Sequence, residues 1–426
     1  MTVNGIVAEY NPFHNGHKYQ LEESGRLTGA DYTVVVMSGN FVQRGVPALL
    51  DKHTRAEMAL LCGADLVLEL PALYATASAE YFAAGAVALL DSLGVVTHLC
   101  FGSECGETEP LFQIARCLSQ EPEAYRIVLR QCLKQGLPYP NARERALAAI
   151  HAPVSLLGSP NNILGVEYIR ALQNRGSKIL PVTIKRQGAD YHEESLCTVR
   201  TDVRAEASGP ENIPAPPQLS SALAIRRALY RGEEPDLLFP HMPQEVLSLL
   251  QSRLQEGRIV RPNDFSSALY YKMLLERESG YEKYLDVSSD LSDRIRNRLD
   301  AFTDFESFCH LLKSKELTYT RISRCLLHIL LQIEQSRMEA AKATDYAPYA
   351  RVLGFRKAAA PLLDAINTVS SIPLVTKPAQ AQKSLPADAV TLLRQDILVS
   401  AIYQSTIATR TGRAAINEYT IPMVIL

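Results

Sequence analysis

"GIVAEYNPFHNGH", residues 5–17, decides how the rest of the chain is read. The aliphatic run Gly5–Ala8 suits a strand covered on both faces. It breaks at Asn11 and Pro12 into a polar turn that ends the strand. His14 and His17 follow, three apart around Gly16, where a helix is expected to start near Asn15. A chain of 426 residues with nine histidines places two of them on this one corner.

Short β-branched or aliphatic runs recur at Thr33–Met37, Leu66–Leu70, Val95–Phe101 and Ile179–Ile184. Helical patterns separate them. Phe82, Ala86, Leu89, Leu90 and Leu93 repeat at helical spacing before Gly94, and Asp51 is placed to cap "DKHTRAEMALL". A further helix is expected over "NNILGVEYIRALQNRG". This alternation predicts an α/β fold, a Rossmann-like doubly wound parallel sheet. Residues 208–219, "SGPENIPAPPQL", read as a proline-rich linker. From 220 onward strand signals fade and apolar residues recur helically, as in Leu291, Ile295, Leu299 and Ile322, Leu326, Ile329. The expected division is 1–207 for the α/β part and 220–426 for a mostly helical part. "YTIPMVIL" at the end reads as a docked strand.

Composition sets the frame. Hydrophobic residues at 47% and charged residues at 21% are ordinary for a globular protein, and a net charge of −2 does not announce a nucleic-acid binder. No apolar run is long enough to span a bilayer, and no secretory signal is expected at the start. Eight cysteines without a CxxC pair argue against a zinc ribbon and fit reduced thiols in the cytoplasm.

In an open parallel sheet, ligands bind beyond the carboxyl ends of the strands. A helix N-terminus there presents unpaired N–H groups to an anion, and Gly16 lets backbone and ligand approach. Spacing of three puts both imidazoles on one side of the turn. Two such donors stabilise the charge that builds as a phosphorus centre is attacked. No third ligand stands nearby for zinc. The bland alternative is a strand–turn–helix corner with two solvated histidines.

H-N-G-H after a first strand resembles the HxGH signature of the nucleotidyltransferase superfamily. The longer strings "GIVAEYNPFHNGH", "MSGNFVQRG" (37–45), "DKHTRAEMAL" (51–60), "FGSE" (101–104), "SPNNILGVEYI" (159–169), "RQGADYH" (186–192) and "TYTRISR" (318–324) resemble the bacterial tRNA(Met) cytidine acetate ligase family nearly end to end. The resemblance implies activation of acetate by ATP as acetyl-adenylate, with release of pyrophosphate. The acetyl group then passes to N4 of the wobble cytidine of elongator tRNA(Met), releasing AMP. Mg2+ is expected with the nucleotide, although no set of carboxylates stands out as its ligands; oligomeric state is left open.

Carried over by position, the resemblance gives His14 and His17 the catalytic role. It places ATP on Val7, Ala8, Glu9, Tyr10, Asn11, Pro12, Phe13, His14, Asn15, Gly16, His17, Lys18, Tyr19 and Gln20, and on Gly102, Asn162 and Arg186. Asn161 beside Asn162 is open as an alternative, and either can be a helix cap. The superfamily's second signature is partial: "SSALAIR" (220–226) keeps Ser221 and Arg226 as further phosphate candidates but has Leu223 where threonine is expected. For RNA, Tyr319, Arg321 and Arg324 share a helix start, with Lys52, Arg55, Arg227 and Arg231 as additional cations. Ser323, where the family often carries a basic residue, thins that patch. Two rival functions are a nucleotidyltransferase acting on a small phosphorylated metabolite and a non-catalytic RNA-binding module that uses ATP as a conformational ligand.

Overall fold

The computed structural model describes residues 1–137, 139–186 and 220–426. The proline-rich stretch 208–219 and nearly all of "RQGADYH" lie outside the described residues. The expected alternation is present: β1 (Val3–Ala8), α1 (Asn15–Thr28), β2 (Tyr32–Ser38), a hairpin of β3 (Phe41–Val42) and β4 (Val46–Pro47), α2 (Lys52–Leu61), β5 (Leu66–Leu70), α3 (Ala79–Ser92), β6 (His98–Ser103), α4 (Pro160–Arg175) and β7 (Leu180–Lys185). Local chemistry explains several boundaries. Asp51 caps α2 by accepting the amides of His53 and Thr54, each at 3.1 Å. Gly94, just past α3, has φ of +71°, a turn that favours glycine.

The C-terminal half is mostly helical, including α5 (Ala222–Tyr230) and α6 (Tyr319–Leu331). It also returns to the sheet, which the fading strand signals did not reveal. β8 (Ala350–Phe355) pairs antiparallel with β5, and β9 (Leu374–Val375) pairs with β8. After the long helix α7 (Ala387–Thr411), β10 (Val424–Ile425) docks parallel on β8, so the terminal apolar segment is the expected strand. The order is β10-β8-β5-β2-β1-β6-β7 with β9 beside β8. Consecutive β1 residues face opposite cores. Val3 belongs with Val34, Leu68 and Phe101 to the core on one face of the sheet, whereas Ile6 belongs with Val35, Val67 and Cys100 to the core on the other.

Lys52 and Arg55 are not surface cations. Both are fully buried. Lys52 Nζ contacts Glu69 at 2.7 Å and Glu418 at 2.8 Å, and Arg351 bridges the same two carboxylates, lying 3.1 Å from Glu69. Burial of these charges is offset by pairing, with Glu69 nearby on β5 and with Arg351 and Glu418 from the far end of the chain. Arg55 donates to the carbonyls of Glu9 (2.5 Å), Ser38 (3.1 Å), Leu50 (3.0 Å) and Gly39. It ties the ends of β1 and β2 together under the corner of interest. No described helix is long and apolar enough to cross a membrane.

Candidate active site

Strand order reverses between β1 and β6, since β2 and β5 follow on one side and β7 on the other. A cleft opens at that switch point, lined by Val7 and Ala8 of β1, Phe101 and Gly102 of β6, and Ile184 and Lys185 of β7. This is where an open parallel sheet binds ligands. Both histidines line it.

His14 is the N-cap of α1, and its Nδ1 accepts the Gly16 amide at 3.0 Å. His17 Nδ1 accepts the His14 amide at 3.3 Å, closing a reciprocal box at the helix start. An Nδ1 that accepts must be unprotonated, so each neutral ring carries its hydrogen on Nε2. The rings lie 3.8 Å apart at 30°, braced by Tyr10 at 4.9 Å and Phe13 at 5.5 Å from His17. Burial, then the positive charges of Arg186, Arg226 and His241, push the His14 imidazole down to about 3. Burial and the neighbouring His14 and Arg186 hold His17 well below the usual imidazole range. At neutral pH the site therefore offers two uncharged N–H donors.

The turn before them is locked from below. Asn11 Oδ1 accepts the Leu49 amide at 2.8 Å, and its carbonyl accepts from Arg226 on α5. Ser221 caps α5 by accepting the Ala224 amide at 3.0 Å. Ser221, Leu223 and Arg226 all line the cleft, so the partial second signature faces the first. Arg186 lines it too, placed by its backbone N–H donating to the Ser103 carbonyl at 3.0 Å. A Cβ on Gly102 would find only Arg186 Cγ at 3.6 Å and a carbonyl at 4.0 Å, so the glycine leaves open floor rather than relieving a clash.

Not every residue of Val7–Gln20 reaches the cleft. Phe13 is buried in the core, Asn15 donates to the Pro240 carbonyl at 2.9 Å, and Lys18 stands 4.0 Å from Glu22. Pro12 is likewise outside the lining. Asn162 is buried, with Oδ1 accepting the amides of Glu104 (3.0 Å) and Cys105 (3.2 Å) and Nδ2 donating to Leu156. It shapes the loop after β6, while Asn161 lines the cleft and donates to Glu104 at 2.7 Å. Gln43, Arg44 and Tyr168 also line the cleft. The first two sit in "MSGNFVQRG" and the third in "SPNNILGVEYI", yet spacing within those strings gave no hint of which side chains turn inward.

The three RNA candidates separate. Arg321 lines a second cleft with Arg294 and Arg298, among Asp290, Asp293 and Glu316. Arg324 has a side chain only 16% exposed, 3.9 Å from Asp286. Tyr319 packs its ring 4.8 Å from His310 and is partly buried. Ser323 is buried and donates to the Gly45 carbonyl at 2.8 Å, joining α6 to the β3–β4 hairpin.

A family model described as HIGH Nucleotidyl Transferase matches residues 1–417. A protein of Acetivibrio thermocellus described as tRNA(Met) cytidine acetate ligase is 38% identical over 100% of both chains. The chain belongs to the tRNA(Met) cytidine acetate ligase family. Another member, from Caldanaerobacter subterraneus subsp. tengcongensis, is 39% identical over 95% of each chain. The crystal structure of Thermotoga maritima TmcAL (apo, form I) superposes with a TM-score of 0.91 at 33% identity, covering 100% of both chains. The same protein bound with alpha-thio ATP gives a TM-score of 0.89. Membership thus extends over the helical half as well as the sheet.

Proposed function

We propose that this chain is an ATP-dependent acetate ligase that forms N4-acetylcytidine at the wobble position of elongator tRNA(Met). The observation that carries the reading is the paired His14 and His17 at the switch-point cleft of a chain similar throughout to such ligases. Acetate is a poor acyl donor because oxide would have to leave. In the first step a carboxylate oxygen of acetate attacks the α-phosphorus of ATP. The new P–O bond forms as the bond to pyrophosphate breaks, giving acetyl-adenylate.

The two Nε2–H groups point their hydrogens at oxygens of that phosphorus, where charge builds in the transition state. Being uncharged, they do not trap the ground-state triphosphate as strongly as cations would. Arg186, Arg226 and the capped start of α5 lie where the departing pyrophosphate can be held. In the second step N4 of cytidine attacks the acetyl carbonyl and AMP leaves. Holding both reactants compensates for a weak nucleophile. The helical half, 220–426, supplies the RNA face, with Arg321, which lines the second cleft, as its first candidate, and the reaction takes place in the cytoplasm.

Among the described residues no group of three or more His, Cys, Asp or Glu side chains is placed to hold a metal ion. In this reading Mg2+ would be held by the nucleotide's phosphates and would offset their charge. The deciding assay combines the full chain, ATP, labelled acetate and elongator tRNA(Met). Label entering the RNA with matching AMP and pyrophosphate is the expected result. Turnover of a phosphorylated metabolite without RNA, or tight RNA binding without pyrophosphate release, would refute it.

A further inference from the structure

The cleft straddles the edge of the sheet, and its two halves differ in chemistry. Toward α1 lie the two histidines with Arg186 and Arg226. Toward α3 and α4 lie Phe82, Phe101, Leu164 and Tyr168, with Glu9 at the end of β1. Glu9 Oε1 accepts the Gln43 amide at 2.9 Å, which fixes the carboxylate against the β3–β4 hairpin. Among the described residues its Oε2 has no hydrogen-bond partner. Tyr168 is only 4% exposed, its ring packs 5.6 Å from Phe101, and its hydroxyl likewise has no partner among the described residues. It is an electrostatic neighbour of Glu9. A carboxylate and a buried phenol thus face one aromatic-walled space.

A carboxylate does not suit a cleft that binds a triphosphate and an acetate anion unless something positive or proton-donating faces it. Acetate itself would be repelled. Cytosine fits: its exocyclic amine donates, its N3 and O2 accept, and its flat ring packs on aromatic side chains. We propose that Glu9 and Tyr168 form the cytosine pocket, Glu9 accepting from the N4 amine and Tyr168 donating to the ring's acceptor edge. As N4 bonds to the acetyl carbonyl carbon, the bond from that carbon to the AMP oxygen breaks. AMP leaves as the anion, and the N4 proton passes to Glu9 Oε2 and then to water. Glu9 is then a catalytic residue of the second step, in addition to marking the base. Uridine, which presents O4 in place of the amine, would set a lone pair against the carboxylate.

This inference rests on the acetate-ligase reading, and the two half-reactions separate them. Acetate-dependent exchange of pyrophosphate into ATP reports adenylation, and synthetic acetyl-adenylate given to the protein with tRNA reports transfer. In Glu9→Gln, transfer is expected to fall about 100-fold, at least ten times more than exchange falls. Tyr168→Phe is expected to raise the KM for tRNA roughly five- to ten-fold with a smaller change in kcat. In a binding competition, wild type should prefer the wobble cytidine transcript over a uridine-substituted one by about ten-fold, and Glu9→Gln should narrow this to about three-fold or less. Equal losses in both half-reactions, rescue of Glu9→Gln by raised Mg2+, or an unchanged base preference would overturn the pocket. Absence of exchange and transfer in wild type would overturn the acetate-ligase reading itself.

Discussion

His17 Nδ1 accepts the backbone N–H of His14 at 3.3 Å, so each histidine of the pair fixes the other's place in the first turn of α1. The same bonds that cap the helix decide which nitrogen carries hydrogen. Structure and chemistry can therefore be separated by substitution. His14→Asn keeps a good cap and should cost less than about 1 kcal/mol of stability. It removes the Nε2–H donor, and acetate-dependent pyrophosphate exchange should drop about 10²- to 10³-fold. A variant with normal exchange would contradict the role given to His14.

Acid should loosen this corner. Burial holds the His14 imidazole down at about 3, against 6.5 for a free ring, and lowers His17 as well. Between those values the unfolded chain binds more protons than the folded one, so stability rises with pH in that window. The contribution is complete above 6.5 and is lost as pH falls toward the folded value. Denaturation of wild type and a His14→Asn, His17→Asn double variant between pH 7 and pH 4 should show a steeper decline in wild type. Parallel curves would be inconsistent with neutral buried rings.

Arg55 should be indispensable to the fold rather than to RNA. Its guanidinium serves the carbonyls of Glu9, Ser38, Gly39 and Leu50 from a fully buried position. Arg55→Ala leaves those acceptors short of donors and opens a cavity, an expected loss of about 3–5 kcal/mol in urea denaturation. A loss under about 1 kcal/mol would mean the clamp is dispensable.

Gly45 and Arg321 should fail in different assays. Gly45 has φ of +76°, and a Cβ there would lie 2.3 Å from the Arg324 amide nitrogen. Gly45→Ala should cost roughly 1–3 kcal/mol and loosen the hairpin on α6. Arg321→Ala should leave stability within about 0.5 kcal/mol, weaken tRNA binding and reduce the salt slope by about 1. An unchanged slope would remove Arg321 from the RNA face.

Much of this was legible because it is local. A strand, a turn and a helix start within residues 3–17 fix the histidine corner, and Asp51 announces its own helix. What stayed hidden depends on distant partners. β8 carries only the short run "ARVLGF" and is defined by pairing with β5, some 280 positions earlier. Lys52 and Arg55 look like surface cations until Glu69, Arg351, Glu418 and a set of carbonyls are placed around them. Asn161 and Asn162 are indistinguishable as letters; the turn of α4 decides that one lines the cleft while the other ties down the Glu104 loop.

The most direct measurement is a crystal structure of the full chain with a sulfamoyl analogue of acetyl-adenylate, which keeps the shape of the intermediate but cannot transfer. The group replacing the α-phosphate should sit within hydrogen-bond distance of Nε2 on both His14 and His17, with Nδ1 of each still accepting a backbone amide. Finding the analogue elsewhere, or either ring rotated so that Nδ1 faces the ligand and the cap is broken, would contradict the account.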